Sequence, residues 1–184
     1  MHTLTILGVA VLATAGFAHS VSGVELKVGD PAPDFELKGS DGQLHHLGDY
    51  KGKQAVVLAW FPKAFTPGCT IECKSMAEDG EAIKKFDAIY FTASVDPVDG
   101  PKGNKAFAES LNADYPILSD PEQTTAKAYG VLGGNGVAQR WTFYIDKDGK
   151  IAAIEKDVNS RLRDGHYGNH VAEKLKELGV PEKK

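Results

Sequence analysis

The sequence predicts an α/β domain in which a central mixed β-sheet is flanked by helices. Three observations carry this prediction. Apolar runs alternate with amphipathic stretches, the two strongest runs are continuous rather than alternating, and an Asp-Gly turn late in the chain joins two further strand-like segments. Continuous apolar runs suit strands covered on both faces, so helices must flank the centre of the sheet. The Asp-Gly turn adds an antiparallel pair, which makes the sheet mixed.

The elements follow in order. Gln54–Phe61, "QAVVLAWF", ends at Pro62 and reads as a central buried strand. Thr66-Pro67-Gly68 then breaks the chain. Ile71, Ala77, Ile83 and Phe86, set among Glu72, Lys74, Glu78, Asp79, Glu81, Lys84 and Lys85, predict one amphipathic helix running through Gly80. Ile89–Val95 is a second buried strand, Lys102–Leu111 a helix, Tyr115–Leu118 a short strand and Gln123–Tyr129 a short helix. Arg140–Asp146 and Lys150–Val158 are strands joined through Lys147-Asp148-Gly149, and Val171, Leu175 and Leu178 mark a last helix. The 184 residues suit one domain, with no internal repeat, low-complexity tract or linker.

The first 24 residues are different in kind. From Met1 to Val24 there is no Asp, Glu, Lys or Arg, and Leu4–Phe17 is apolar apart from threonines and glycines before the small-x-small pattern Gly16-Phe17-Ala18. This predicts a secretory signal peptide over residues 1–23 and a single domain over 24–184. Because only His2 and the amino terminus supply positive charge ahead of the apolar run, an uncleaved membrane anchor is the alternative. No nearby cysteine offers a site for a lipid anchor. Both readings place the domain outside the cytosol, periplasmic or secreted. The remaining composition is that of a globular protein, 42% hydrophobic and 25% charged, and the net charge of -4 provides no basic face for nucleic acid.

Both cysteines lie in one short stretch, Cys69-Thr70-Ile71-Glu72-Cys73. In an oxidising compartment their default fate is a structural disulfide. Residues four apart in a helix, however, have β-carbons about 5–6 Å apart, whereas a disulfide needs about 3.8 Å. Such a bridge also closes too short a loop to restrain the unfolded chain much. A reactive role fits better. Cys69 falls in the first turn of a helix that follows a core strand, where the thiolate is favoured. A sulfenic acid formed there can condense with Cys73 once that turn unwinds.

At this point the residues resemble a known family. Pro62-Lys63-Ala64-Phe65-Thr66-Pro67-Gly68-Cys69 matches the P-x-x-x-[TS]-x-x-C motif of peroxiredoxins, and "FPKAFTPGCTIE" most resembles the bacterioferritin-comigratory-protein, or Q-type, subfamily. "VGDPAPDFEL", "DGQLHHLGDYKGK", "YPILSDP", "AYGV" and "QRWTFYIDKDGKI" resemble other segments of the family in the same order, so the likeness spans about Val28 to Val180. The resemblance implies a thioredoxin-like fold with an N-terminal hairpin extension. It implies a thiol-dependent peroxidase acting on hydrogen peroxide or small organic hydroperoxides. Carried over by residue, Cys69 is the peroxidatic nucleophile, Thr66 accepts a hydrogen bond from the peroxide and donates one toward the thiolate, and Arg140 supplies the fixed positive charge that depresses the thiol pKa. Backbone N–H groups around Gly68 and Cys69 hold the polarised oxygens. Pro62 shields the thiolate, and Glu72 orients the arginine. The substrate therefore meets Thr66, Gly68, Cys69 and Arg140. Sulfur performs the redox chemistry, so no metal, flavin or haem is implied, and a thioredoxin-like or other thiol reductant restores the enzyme.

One departure stands out. The Q-type pattern often places its resolving cysteine five residues after the first, whereas Cys73 is four after Cys69. That turns the second sulfur by about 100° around the helix. An intramolecular Cys69–Cys73 disulfide is the expected reading, and the alternative is a small buried Cys73 with an external thiol as reductant. A local resolving thiol needs no second subunit, so a monomer is expected, with a dimer as the alternative.

Plainer readings compete. Pro62 can simply end a strand and Thr66 simply cap a helix. The strongest rival function is copper delivery of the Sco type, with C-x-x-x-C and His166 or His170 as ligands. Such proteins usually carry prolines after their cysteines, and here Thr70 and Lys74 follow. A thiol-disulfide oxidoreductase wants the tighter C-x-x-C. Taken alone, His166 and His170 suit a solvated helix face or helix start, Asp146-Lys147-Asp148-Gly149 a turn rather than a calcium loop, and Gly133-Gly134-Asn135-Gly136 a flexible loop near the active site rather than a phosphate cradle. His45 and His46 are expected on an exposed hairpin.

Overall fold

The computed structural model describes residues 25–183, so the expected signal segment at 1–23 lies outside the described residues. The chain runs β1 (Glu36–Gly39), β2 (Leu44–His46), β3 (Ala55–Trp60), α1 (Pro67–Glu78), α2 (Gly80–Lys84), β4 (Ala88–Ser94), α3 (Asn104–Leu111) and β5 (Ile117–Ser119). It continues with α4 (Thr124–Ala128), β6 (Thr142–Ile145), β7 (Ile151–Glu155), α5 (Val158–Arg161) and α6 (Tyr167–Glu177). The strands form one sheet in the order β2-β1-β5-β4-β3-β6-β7. β3, β4 and β5 are parallel to one another, and every other pairing is antiparallel. The mixed sheet and the N-terminal hairpin are as the sequence predicts.

The continuous apolar run of β3 is explained by its position. Every residue of that strand is buried, because Val56, Leu58 and Trp60 pack into a layer with Phe91, Tyr129 and Phe143. Ala55 and Val57, followed by Phe61, pack on the opposite face among Met76, Ile83, Phe107, Val171 and Leu175. The helices α1, α2, α3 and α6 cover this second face. It is the face on which both cysteines lie.

Several expectations need correction. The single helix predicted across Gly80 is two, broken at Asp79. A β-carbon on Gly80 would stand 2.5 Å from the Tyr90 hydroxyl, so the absence of a side chain here lets α2 begin this close to β4 with Tyr90 in place. The Asp79 carboxylate turns away to accept the backbone N–H of Asn169, at 3.3 Å, at the start of α6. The strand predicted to reach Val158 stops at Glu155, and Val158 instead opens α5. His45 is not exposed. It is 8% accessible, with its ring 5.1 Å from that of Phe91 and its nitrogens 3.2 Å from the Tyr50 hydroxyl and 3.1 Å from Asp41. Alternation along β2 sends it inward while His46 turns toward Glu36. The Asp146–Gly149 stretch is a turn, with Asp146 Oδ1 accepting from the N–H groups of Asp148 and Lys150 at 2.9 Å each. The Gly133–Gly136 loop is closed by the Gly133 N–H donating to Val137 O at 2.8 Å. Among the described residues no helix is long and apolar enough to cross a membrane.

Candidate active site

β3 delivers the chain to half-buried Pro62, and a short loop then turns it into α1. The turn is tight. Phe65 adopts the left-handed region at φ 61°, unusual for a bulky residue, while its ring packs 5.0 Å from that of Phe107 on α3. The Ala64 N–H donates to Asp96 Oδ2 at 2.8 Å. Thr66 follows with extended backbone at the N-cap position, and Pro67 takes the first helical place.

Thr66 does not cap the helix with its side chain. Its hydroxyl donates to Lys63 O at 2.9 Å rather than toward the Cys69 sulfur as expected, because the tight loop brings that carbonyl within reach, and its lone pairs stay available to accept from a ligand. The bond from Thr70 N–H to Thr66 O, at 2.8 Å, opens α1. The N–H groups of Gly68 and Cys69 precede it and point out of the helix end, and no acidic residue in the first turn offsets their positive field.

Cys69 sits on this turn, 1% exposed. Arg140, just ahead of β6, sets Nη2 at 3.3 Å from its Sγ. Gly68 permits the approach, since a β-carbon there would lie 3.2 Å from Nη2. The other arms of the guanidinium are also held. Nη1 donates to Glu72 Oε2, and Nε donates to Asn159 Oδ1 on α5 at 2.9 Å. Burial works to lower the Arg140 pKa, but the charges of Glu72 and Cys69 outweigh it, and the pKa is held above its ordinary value.

Glu72 is wholly buried one turn after Cys69, and its second oxygen, Oε1, has no partner. Burial pushes its pKa from 4.5 up to about 7, against the opposing pull of Arg140. The helix thus inverts the pattern expected of it, because Glu72 points in and Ile71, 46% accessible, points out. The inversion is what brings a carboxylate to the arginine.

Cys73 lies on the same buried face and is 0% exposed. Its Sγ is 3.8 Å from Thr92 Oγ1, and its carbonyl accepts from the Tyr115 hydroxyl at 2.9 Å. Burial, reinforced by the Glu72 charge, raises its thiol pKa well above the ordinary value. Both cysteines are free thiols.

The residues singled out from the sequence, Pro62, Thr66, Gly68, Cys69, Glu72, Cys73 and Arg140, therefore lie along one strand-to-helix junction and the arginine that meets it. His166 and His170 do not join them as ligands. His166 Nδ1 is 3.3 Å from Asp79 Oδ1, and His170 Nε2 is 2.9 Å from Asp164 Oδ2. Among the described residues no three His, Cys, Asp or Glu side chains gather as a metal site. The copper-delivery reading finds no support. Asn159 and Asp96 escaped the sequence reading, because each is a polar residue outside any periodic pattern and touches the site only through the fold.

Comparison with known proteins agrees with this geometry. The AhpC/TSA family model matches residues 28–154. Peroxiredoxin Bcp of Bacillus subtilis is 36% identical over 161 residues, covering 83% of this chain and 95% of that protein. Alkyl hydroperoxide reductase E of Mycobacterium tuberculosis is 34% identical over 142 residues, 76% of this chain and 91% of that one. Among solved structures, peroxidoxin BcpB from Mycobacterium tuberculosis superposes with a TM-score of 0.70 at 32% identity, covering 84% of this chain and 97% of that chain. A mutant of PrxQ from Xylella fastidiosa gives 0.73 at 25% identity, with 84% and 98% covered. With the motif, the thioredoxin-like sheet and these likenesses in agreement, the chain belongs to the AhpC/TSA family as a peroxiredoxin of the Bcp/Q type, a thiol-dependent peroxidase.

Proposed function

We propose that Cys69 reduces hydrogen peroxide or a small organic hydroperoxide and that Cys73 then resolves the product as an intramolecular disulfide. The observation that carries the first half is the 3.3 Å approach of Arg140 Nη2 to Cys69 Sγ at the open end of α1. A positive charge held by three N–H arms stabilises the thiolate and the oxygens of the incoming peroxide. Thr66, with its own proton committed to Lys63 O, accepts from the peroxide O–H. The thiolate donates an electron pair to one peroxide oxygen, an S–O bond forms and the O–O bond breaks. The departing hydroxide or alkoxide takes a proton and leaves as water or alcohol, and Cys69 becomes a sulfenic acid.

Resolution needs a change of shape. Cys73 is buried one helical turn away, with its thiol disfavoured as thiolate, so α1 must unwind locally before the second sulfur can attack the first. An S–S bond then forms, water leaves, and a thioredoxin-like or other dithiol restores both thiols. The test is one equivalent of hydrogen peroxide added to the fully reduced protein, followed by intact mass and free-thiol count. Loss of both thiols with a decrease of about 2 Da is expected, from two hydrogens lost. A gain of oxygen on one thiol would mean that an outside thiol resolves the enzyme. Cys69→Ser is expected to abolish peroxide consumption, whereas Cys73→Ser keeps the first turnover and accumulates the sulfenic acid; a Cys69→Ser protein reacting at the wild-type rate would sink the assignment.

The setting proposed for this chemistry is outside the cytosol. Its support is the charge-free apolar run before Val24, and the family match begins only at Val28. Amino-terminal sequencing of the protein from an exported fraction should find a chain beginning near residue 24, and a full-length membrane-bound chain would indicate the anchor instead. A single domain over 24–184 working as a monomer completes the reading, and light scattering of the reduced protein checks it.

A further inference from the structure

The loop that carries Pro62, Phe65 and Thr66 has one internal side-chain tie, from the Thr66 hydroxyl to Lys63 O, and its other supports come from outside it. Phe65 sits at φ 61°, a strained conformation for a bulky residue that persists only where the surroundings impose it. Thr66 lies next to that strained residue, so the hydroxyl that meets the peroxide is aimed by whatever fixes the loop. One side chain from outside the loop reaches its backbone. Asp96, 7% exposed and two residues past β4, accepts the Ala64 N–H on Oδ2 at 2.8 Å. The same oxygen accepts the Ser94 hydroxyl at 3.0 Å, and Oδ1 lies 3.5 Å from Lys63 Nζ.

Asp96 is itself held from beneath. Ser94, wholly buried, accepts the Asp96 N–H at 3.2 Å and an N–H of the Asn104 side chain at 3.1 Å. Asn104, also wholly buried, donates further to Ser119 Oγ at 2.9 Å and Leu118 O at 3.0 Å. A chain of satisfied polar groups thus runs from β5 through the start of α3 and the end of β4 to the loop. Buried polar residues are costly unless hydrogen-bonded, and a network in which they are bonded fixes the groups it joins. Its outermost member grips the residue two before Thr66, and Phe107, one turn along α3 from Asn104, supports the Phe65 ring from the same helix.

We infer that Asp96 is a positioning residue for the peroxide: through the Ala64 N–H it fixes the strained loop so that Thr66 faces the oxygens above Cys69. The inference rests on the peroxidase reading above, but it concerns a residue that touches neither sulfur nor substrate. Its distinctive consequence is a separation of two reactions of the same thiol. Attack on peroxide needs Thr66 in register, whereas alkylation of Cys69 by iodoacetamide needs only the thiolate.

The test measures both second-order rate constants on the reduced proteins, with the alkylated peptide identified by mass. Asp96→Ala is expected to slow the hydrogen peroxide reaction by roughly 10- to 100-fold, the scale of a catalytic group displaced by about 1 Å, while alkylation stays within about threefold of wild type. Asp96→Asn keeps a carbonyl oxygen for the Ala64 N–H and is expected to recover the peroxide rate to within about threefold. A peroxide rate in Asp96→Ala close to wild type, or an equal loss in both reactions, overturns the inference and leaves Cys69 as the nucleophile. If Asp96→Ala does not fold, Ser94→Ala takes its place, and the same ratio decides. A wild-type protein whose alkylation is normal but which ignores peroxide would instead overturn the peroxidase reading itself.

Discussion

At the scale of single residues, the arginine is defined by how many partners it satisfies. Arg140 meets Cys69, Glu72 and Asn159 with separate N–H groups, so its position over the sulfur is fixed in plane and in rotation. Lysine carries the same charge on one flexible point and cannot make this fork. Arg140→Lys is therefore expected to lower the peroxide rate constant by about 100-fold, the cost of losing a preorganised donor. Asn159→Ala removes one neutral acceptor from the guanidinium and should cost about 1–2 kcal/mol, or roughly tenfold in the same stopped-flow measurement. The order of the two losses is the check, and an Asn159→Ala enzyme as slow as Arg140→Lys would mean that α5 does more than steady the arginine. Cys69 and Thr66 were legible in the sequence because a dense motif holds them together, and Arg140 because it precedes a recognisable strand. Asn159 was not, since it meets Arg140 only when α5 folds back, and neither spacing nor periodicity records that approach.

At the scale of elements, α1 has two tasks that conflict. It must present Cys69 at a rigid end, yet the proposed disulfide requires its first turns to open. The fold ties the second cysteine in from its backbone as well as its sulfur, because the Tyr115 hydroxyl donates to Cys73 O at 2.9 Å from just before β5. Removing that donor loosens the turn that must unwind. Tyr115→Phe is expected to leave the first, sulfenic-acid-forming step unchanged and to speed disulfide formation severalfold, at about 1 kcal/mol of stability for the hydrogen bond lost, since the carbonyl keeps its helical partner. Sulfenic acid decay followed by stopped-flow fluorescence and stability by urea titration separate the two effects; slower decay would show that the tie helps resolution. The strands were legible as elements for a physical reason, since a continuous apolar run such as β3 records burial on both faces. The course of α1 was legible and its facing was not. Its buried side holds Cys69, Glu72, Cys73 and Ser75 beside one large apolar residue, Met76, so the apolar periodicity that usually betrays a helix face is weak and points the wrong way at Ile71.

At the scale of the whole molecule, the alternation of strands and helices and the Asp-Gly turn established a mixed sheet, while strand order depended on which edges pair in space. The placement of β5 between β4 and the N-terminal hairpin followed only from the register. The inward turn of His45 depended likewise on which face of that hairpin was covered. The same burial that hid Glu72 from the helical pattern links the active site to the stability of the entire fold. In the folded chain its pKa is raised from 4.5 to about 7, by burial first and against the pull of Arg140. Between those pH values the folded protein keeps a proton that the unfolded chain has lost, so the stability from this group falls as pH rises through the window and is level above it. Complete realisation of the shift corresponds to about 3 kcal/mol, at 1.36 kcal/mol per pKa unit. Glu72→Gln cannot titrate. The stability of wild type relative to Glu72→Gln, taken from urea unfolding, should therefore be greater at pH 4 than at pH 8 by an amount of that order, with titrations common to both proteins cancelling. Parallel stability curves would place the Glu72 carboxylate in an ordinary environment and remove the argument that burying it here costs the fold anything. A difference of the expected sign would show that the carboxylate paired with Arg140 is retained at neutral pH against the stability of the molecule that carries it.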